Sequence, residues 1–64
     1  MENISQILLR DVESFLQRTG MSPSKFGWIA VKDPNFVRNL RDGRQPRFET
    51  AKRVSEYMQS EFAQ

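Results

Sequence analysis

Hydrophobic residues recur at helical spacing in four stretches of the chain, and polar segments containing glycine or proline separate them. The first stretch predicts an amphipathic helix over 3–19, capped by Asn3 or Ser5 and ended by Gly20. Its apolar face consists of Ile4, Leu8, Val12, Phe15 and Leu16, with Ile7 at the edge.

The middle of the chain predicts two short helices joined by a sharp turn. Ser22-Pro23 begins the first, over about 23–31, and Asp33-Pro34 begins the second, over about 34–42. In each pair the polar side chain can accept a free backbone N–H, and proline suits the first helical position because its missing N–H would be unpaired there. Two helices this short bury little by themselves, so the flanking helices must supply the rest of the core.

The apolar positions of these two helices mark one buried face on each. They are Phe26, Ile29 and Ala30 in the first helix, and Val37 and Leu40, with Arg41 beside them, in the second. Gly43 follows the last of these positions and suits a left-handed helix end.

Two residues of the first short helix need a separate explanation. Gly27 lies in the helix interior, where glycine costs about 1 kcal/mol relative to alanine. We therefore expect another backbone, that of the next helix, to pass close to it. Trp28 lies off the apolar face, and two interpretations stay open: a half-buried cover for the junction with the first helix, or an exposed partner contact.

The fourth stretch predicts a helix from Phe48 or Glu49 to Ser60 or beyond. Its inward stripe is formed by Ala51, Val54 and Met58, with Phe48 just ahead and Tyr57 and Phe62 to one side. The fold class predicted for the 64 residues is a single all-α domain, a bundle of four or five short helices with a central helix-turn-helix. A chain of this length is near the lower limit for folding without a disulfide or metal.

Composition narrows the chemistry. The chain contains no cysteine and no histidine, which removes disulfides, ordinary zinc or haem ligation, and the usual enzymatic nucleophile and base. We expect no enzyme activity, no cofactor, no metal and no small-molecule ligand. No signal peptide or membrane-spanning run is visible, so a cytoplasmic protein without a membrane partner is expected.

Charge is concentrated in the middle of the sequence. Residues 25–53 contain eight basic and three acidic side chains, a net charge of +5, whereas the two flanks together carry −3. Such polarity suits a polyanionic partner on one side of the domain. A solvated surface with no partner is the other interpretation, and charge by itself does not choose between them.

The outward face of the third helix carries polar residues of the kind that read bases. Asn35, Arg38 and Asn39 share this face with Asp42. Arginine can present two parallel donors to guanine, and asparagine can pair a donor and an acceptor with adenine. The same residues would also suit an ordinary solvated face. We expect phosphate contacts from the flanking residues Ser22, Lys25, Lys32, Arg44 and Arg47, of which Arg44 and Arg47 lie on a loop restrained by Gly43 and Pro46.

Residues 15–58 resemble the helix-turn-helix domain shared by phage lambda repressor and Cro and by many small bacterial regulators. The similarity is ungapped from Pro23 to Gly43: Gly27 matches the small-residue position of that family, and Val37 and Leu40 match its two apolar recognition-helix positions. The segment 43–46, GRQP, resembles the family's G-K/R-x-P loop. The chain departs from the family at Val31-Lys32, where glycine and an apolar residue are usual, and at Pro23, where glutamine is usual.

The resemblance implies sequence-specific binding of double-stranded DNA, with the third helix in the major groove. It also implies a homodimer on a two-fold operator and a small bacterial or phage transcriptional regulator, most often a repressor. Contacts between subunits or with other partners are expected at Trp28, Tyr57 and Phe62. The alternative is a protein-interaction module of the same fold, such as an antitoxin, antirepressor or accessory subunit, that does not read DNA.

Overall fold

Four α-helices form the domain in a computed structural model that describes residues 4–62, except for the side chains of Ile4 and Phe62. They are α1 (Ile4–Thr19), α2 (Pro23–Val31), α3 (Phe36–Arg41) and α4 (Phe48–Phe62). The predicted all-α bundle with a central helix-turn-helix is confirmed. The expected cap at Asn3 and the expected positions of the Ile4 and Phe62 side chains lie outside the described residues.

The start of α2 follows the sequence closely. The Ser22 side chain accepts a hydrogen bond from the backbone N–H of Lys25 at 3.2 Å, and Pro23 occupies the first helical position. The preceding Gly20 has a φ of +71°, the left-handed conformation expected where α1 ends. Ser5, the other candidate cap of α1, instead lies within that helix and is buried.

The third helix begins later than predicted. Asp33 does not cap a helix that starts at Pro34. Its side chain accepts a hydrogen bond from the N–H of Asn35 at 3.0 Å, and its carbonyl accepts one from the N–H of Phe36 at 3.1 Å. These two bonds form a turn through Pro34, and the regular helix starts at Phe36 instead of Pro34. The polar face that was assigned to one helix therefore begins on a turn, with Asn35 at the junction.

The turn between α2 and α3 contains a non-glycine residue in a left-handed conformation. Lys32 has φ 57° and ψ 34°, and its N–H donates to the carbonyl of Trp28 at 2.9 Å. The next N–H, that of Asp33, donates to the carbonyl of Gly27 at 3.1 Å. Because a side chain in this conformation costs roughly 1–2 kcal/mol, the surrounding bonds must hold Lys32 in place.

Gly27 is the point where this turn folds back on α2. A Cβ atom at Gly27 would overlap the carbonyl oxygen of Asp33 and would lie 3.3 Å from the Cβ of Phe36. The expected close backbone is present, but it belongs to the turn residue Asp33. The third helix contributes only the side chain of Phe36.

The core lies where all four helices meet. Its buried side chains are Leu8, Val12, Phe15, Leu16, Phe26, Phe36, Val37, Leu40, Val54 and Met58. Three aromatic rings from α1, α2 and α4 pack edge to face or tilted, with centroids 5.4 Å apart for Phe15–Phe26, 5.7 Å for Phe26–Tyr57 and 5.8 Å for Phe15–Tyr57. Burial, and secondarily the charge of Glu61, raises the pKa of Tyr57. Tyr57, expected to one side of the inward stripe, thus packs half-buried against the core, and a partner contact at this residue stays a prediction.

Three other apolar residues differ from the sequence-based expectation. Ile29 was expected on the buried face of α2 but is 45% exposed, and Phe48, expected just ahead of the inward stripe of α4, is 81% exposed. Trp28 is 58% exposed, so the half-buried interpretation of this residue is wrong.

No helix within residues 4–62 combines the length and the hydrophobicity that crossing a membrane requires.

An ion pair on the surface links α1 to α3. The Arg41 guanidinium donates through Nε to one carboxylate oxygen of Glu13 at 2.9 Å and through Nη2 to the other at 2.7 Å. These hydrogen bonds lower the pKa of Glu13 and raise that of Arg41. Arg41 was expected beside the inward face of the third helix. It is instead exposed, and its guanidinium is bound to Glu13.

Replacing Gly27 tests the close approach of Asp33. We expect Gly27→Ala to destabilise the domain by about 2 kcal/mol or more, because the added methyl group collides with a backbone carbonyl. Helix propensity by itself predicts the opposite sign, a gain of about 1 kcal/mol. Urea unfolding followed by circular dichroism measures the difference, with the exposed Ser24→Ala in the same helix as control. A Gly27→Ala variant more stable than the parent would contradict the packing described.

The Glu13–Arg41 pair predicts a pH dependence. We expect Glu13→Gln to lower the free energy of unfolding by about 0.2–1 kcal/mol at neutral pH, the range for an exposed ion pair. Because folding lowers the pKa of Glu13, its carboxylate contributes stability above the unfolded-state pKa of about 4.3. That contribution is lost as the pH falls through the folded-state pKa. Urea titrations near neutral pH and in acid should show the difference shrinking as the pH falls; an equal difference at both would contradict the pairing.

Candidate nucleic-acid interface

The outward side of α3 presents a short polar surface. Arg38 is exposed on the helix, Asn35 is exposed at its start, and Asn39 is half-buried. The inward side of the same helix is held by the buried Val37 and Leu40. The three polar residues therefore share one side, as expected, although Asn39 lies deeper than the other two.

The loop after α3 is fixed to that helix by backbone hydrogen bonds. The N–H of Gly43 donates to the carbonyl of Leu40 at 3.1 Å, and the N–H of Arg44 donates to the carbonyl of Asn39 at 3.0 Å. With Gly43 at φ +91°, these bonds form a Schellman motif. The position of Arg44 relative to α3 is thus set by the helix end itself.

A groove of about 350 Å³ runs between α3 and this loop. Asn39 lines it from the helix, and Arg44 and Arg47 line it from the loop. The structure therefore brings together one residue expected to read bases and two expected to contact phosphates. The groove also contains Gln45 and Thr50, which the sequence did not identify. The sequence could have suggested Thr50, because it lies in the first turn of the helix that follows the basic loop.

The other expected phosphate contacts lie outside the groove. Ser22 and Lys25 are exposed at the start of α2, where the Ser22 hydroxyl caps the helix, and Lys32 is exposed in the turn before α3. In the chain, Lys32 precedes α3 and the loop 44–47 follows it. Ser22 and Lys25 do not line the groove.

The arginines of this region fall into two classes. Arg41 is held by Glu13, which compensates its charge. Within residues 4–62, Lys32, Arg38, Arg44 and Arg47 make no ion pair with an acidic side chain. Uncompensated cations at a protein surface leave a positive potential that attracts an anion, and this potential is reduced by salt.

A second exposed surface lies on α2. Trp28 and Ile29 are adjacent and exposed, and Lys25 and Lys32 lie three or four residues from them along the helix. The surface is thus apolar with a basic border. It is separate from the groove beside α3, to which none of these four residues contributes.

Comparisons of the chain with protein-family models, with curated proteins and with solved structures found no match. The resemblance of residues 15–58 to a helix-turn-helix DNA-binding domain therefore stays a prediction from the sequence.

Proposed function

We propose that the protein binds double-stranded DNA, with α3 in the major groove. The observation that carries the proposal is the groove in which Asn39 of α3 lies with Arg44 and Arg47, two cations that make no ion pair within residues 4–62. A six-residue helix is about 9 Å long. It can enter a major groove about 12 Å wide while the adjoining loop reaches the backbone.

In this proposal the residues divide between reading and positioning. Asn35, Arg38 and Asn39 contact base edges, where amide and guanidinium groups match the donor and acceptor patterns of adenine and guanine. Arg44 and Arg47 contact phosphates from the loop, and Lys32 does so from the turn. Ser22 and Lys25 add phosphate contacts from α2. Phosphate contacts fix the position of α3 on the duplex without reading sequence.

The proposed biological activity is that of a small cytoplasmic transcriptional regulator in a bacterial cell or a phage-infected host. A repressor needs only to occupy a promoter, so binding without further chemistry suffices. We propose a homodimer on a two-fold operator, because one α3 presents few base contacts and two copies double the site that is read.

A second candidate is a protein-interaction module, and the exposure of Trp28 beside Ile29 supports it. Tryptophan is enriched among residues that dominate protein interfaces. Salt dependence separates the two candidates. Binding to random duplex DNA through phosphates weakens steeply as salt rises, because bound counterions are released. A protein-interaction module would show little affinity for DNA at any salt concentration.

Two arginine variants separate reading from positioning. Once bound duplexes have been selected from a random pool, we expect Arg38→Ala to weaken the selected site by about 1–3 kcal/mol and to relax the choice of one base pair. Arg44→Ala should weaken selected and random duplexes about equally and reduce the salt slope by about one phosphate contact. Fluorescence anisotropy on both duplexes at two salt concentrations measures each effect.

The matched control is Arg53→Ala, which removes an exposed arginine of α4 that lies outside the groove. It should change neither base preference nor, beyond a small uniform loss, affinity. If Arg38→Ala weakens both duplexes equally and leaves base preference unchanged, α3 does not read sequence as proposed.

A further inference from the structure

An exposed apolar surface lies where the first half of α1 meets the start of α4. Ile7 is 47% exposed and Phe48 is 81% exposed, although both are large hydrophobic side chains. They line a shallow groove of about 380 Å³ together with Ala51, which packs against the core. We call Ile7, Phe48 and Ala51 the α1–α4 patch. Contiguous exposed apolar side chains are typical of interaction sites.

Two opposite charges border the patch. Asp11 of α1 and Lys52 of α4 line the same groove. Neither makes an ion pair within residues 4–62. The patch therefore has an apolar centre with one acidic and one basic side chain available at its edge.

We propose that the α1–α4 patch binds the same patch of a second copy of this chain. In a two-fold contact each residue pair occurs twice, so a surface must be complementary to itself. The patch meets this condition because Phe48 of one copy can enter the groove beside Ile7 and Ala51 of the other. Asp11 of each copy then meets Lys52 of its partner.

The other exposed apolar surface, on α2, does not meet the same condition. Trp28 and Ile29 are bordered by Lys25 and Lys32, and no acidic side chain of α2 offsets them. A two-fold contact through that surface would bring like charges together, which disfavours association. Charge thus selects the α1–α4 patch for self-association.

The size of the patch sets the strength of the contact. A handful of side chains covers less than the ~1,200 Å² that a stable interface buries. The dimer is therefore weak in free solution and depends on concentration. In one respect this inference rests on the proposed function. Because the loop 44–47 leads directly into Phe48, the two-fold contact brings the basic loops of both copies next to each other, where they can contact one duplex.

Sedimentation equilibrium of the full chain without DNA, up to about 1 mM, tests the contact at the affinity expected of a weak interface. The parent should show a monomer–dimer equilibrium, and Phe48→Ser should raise its dissociation constant about tenfold or more. The control Ile29→Ser removes an exposed apolar side chain from α2 and should leave the dissociation constant of the dimer unchanged. Thermal melts verify that both variants fold.

Charge reversal tests the pairing of Asp11 with the partner's Lys52. Asp11→Lys and Lys52→Asp should each weaken association, and the double variant, whose net charge equals that of the parent, should restore it. Arg53→Asp changes net charge as much as Lys52→Asp but lies outside the groove, and should have little effect. If only net charge mattered, Arg53→Asp would weaken association as much as Lys52→Asp does. Restored association in the double variant together with a silent Arg53→Asp therefore indicates pairing of Asp11 with Lys52.

The proposal is overturned if the parent stays monomeric to about 1 mM, if Phe48→Ser and Ile29→Ser behave alike, or if the double reversal fails to rescue. It is also overturned if Phe48→Ser weakens binding of a single subunit to DNA and leaves self-association unchanged, since Phe48 would then contact the duplex. A chain that self-associates through the patch but does not bind DNA supports this inference and refutes the proposed function.

Discussion

The close contact between Gly27 and the carbonyl of Asp33 is the constraint on which the rest of the structure depends. It allows the turn after α2 to lie directly against that helix. Asp33 is also hydrogen-bonded to Gly27, Asn35 and Phe36, so this one residue fixes the end of α2 and the start of α3. The start of α3 in turn decides which of its side chains enter the core and which face outward. A larger residue at position 27 would change the surface that α3 presents.

Much of the fold could be predicted from the sequence because its signals are local. The apolar spacing of α1 and α4, the Ser22 cap and the left-handed glycines each depend on a few neighbouring residues. The prediction was wrong where two local signals competed. Proline after Asp33 is typical of a first helical position, but the Asp33 side chain instead bonds the N–H of Asn35 and makes a turn.

Other differences arise from tertiary packing. In a nine-residue helix the apolar stripe is wide enough to include Ile29, and only the arrangement of the neighbouring helices leaves it exposed. Tyr57 enters the core because Phe15 and Phe26, distant in sequence, form the other two sides of an aromatic cluster. Phe48 lies at the very start of α4, where helical periodicity carries little information about which side a residue faces.

The candidate site was predictable in composition but not in electrostatics. The sequence identified the basic middle of the chain, yet it could not tell which arginine is compensated, because Glu13 and Arg41 are 28 residues apart. Their pairing separates Arg41 from Arg38, Arg44 and Arg47. The Schellman bonds at Gly43 then hold Arg44 beside Asn39. The site thus arises from one structural ion pair, one helix end and one short loop.

We propose that α3 and the loop after it form a DNA-binding surface. The most direct test is titration of uniformly ¹⁵N-labelled protein with duplex DNA at low salt, followed by amide chemical shifts. We expect the largest changes at residues 35–39 and 44–47, with the side-chain signals of Asn35, Asn39 and the nearby arginines among them. The absence of any change, or changes confined to the exposed surface around Trp28 and Ile29, would contradict it.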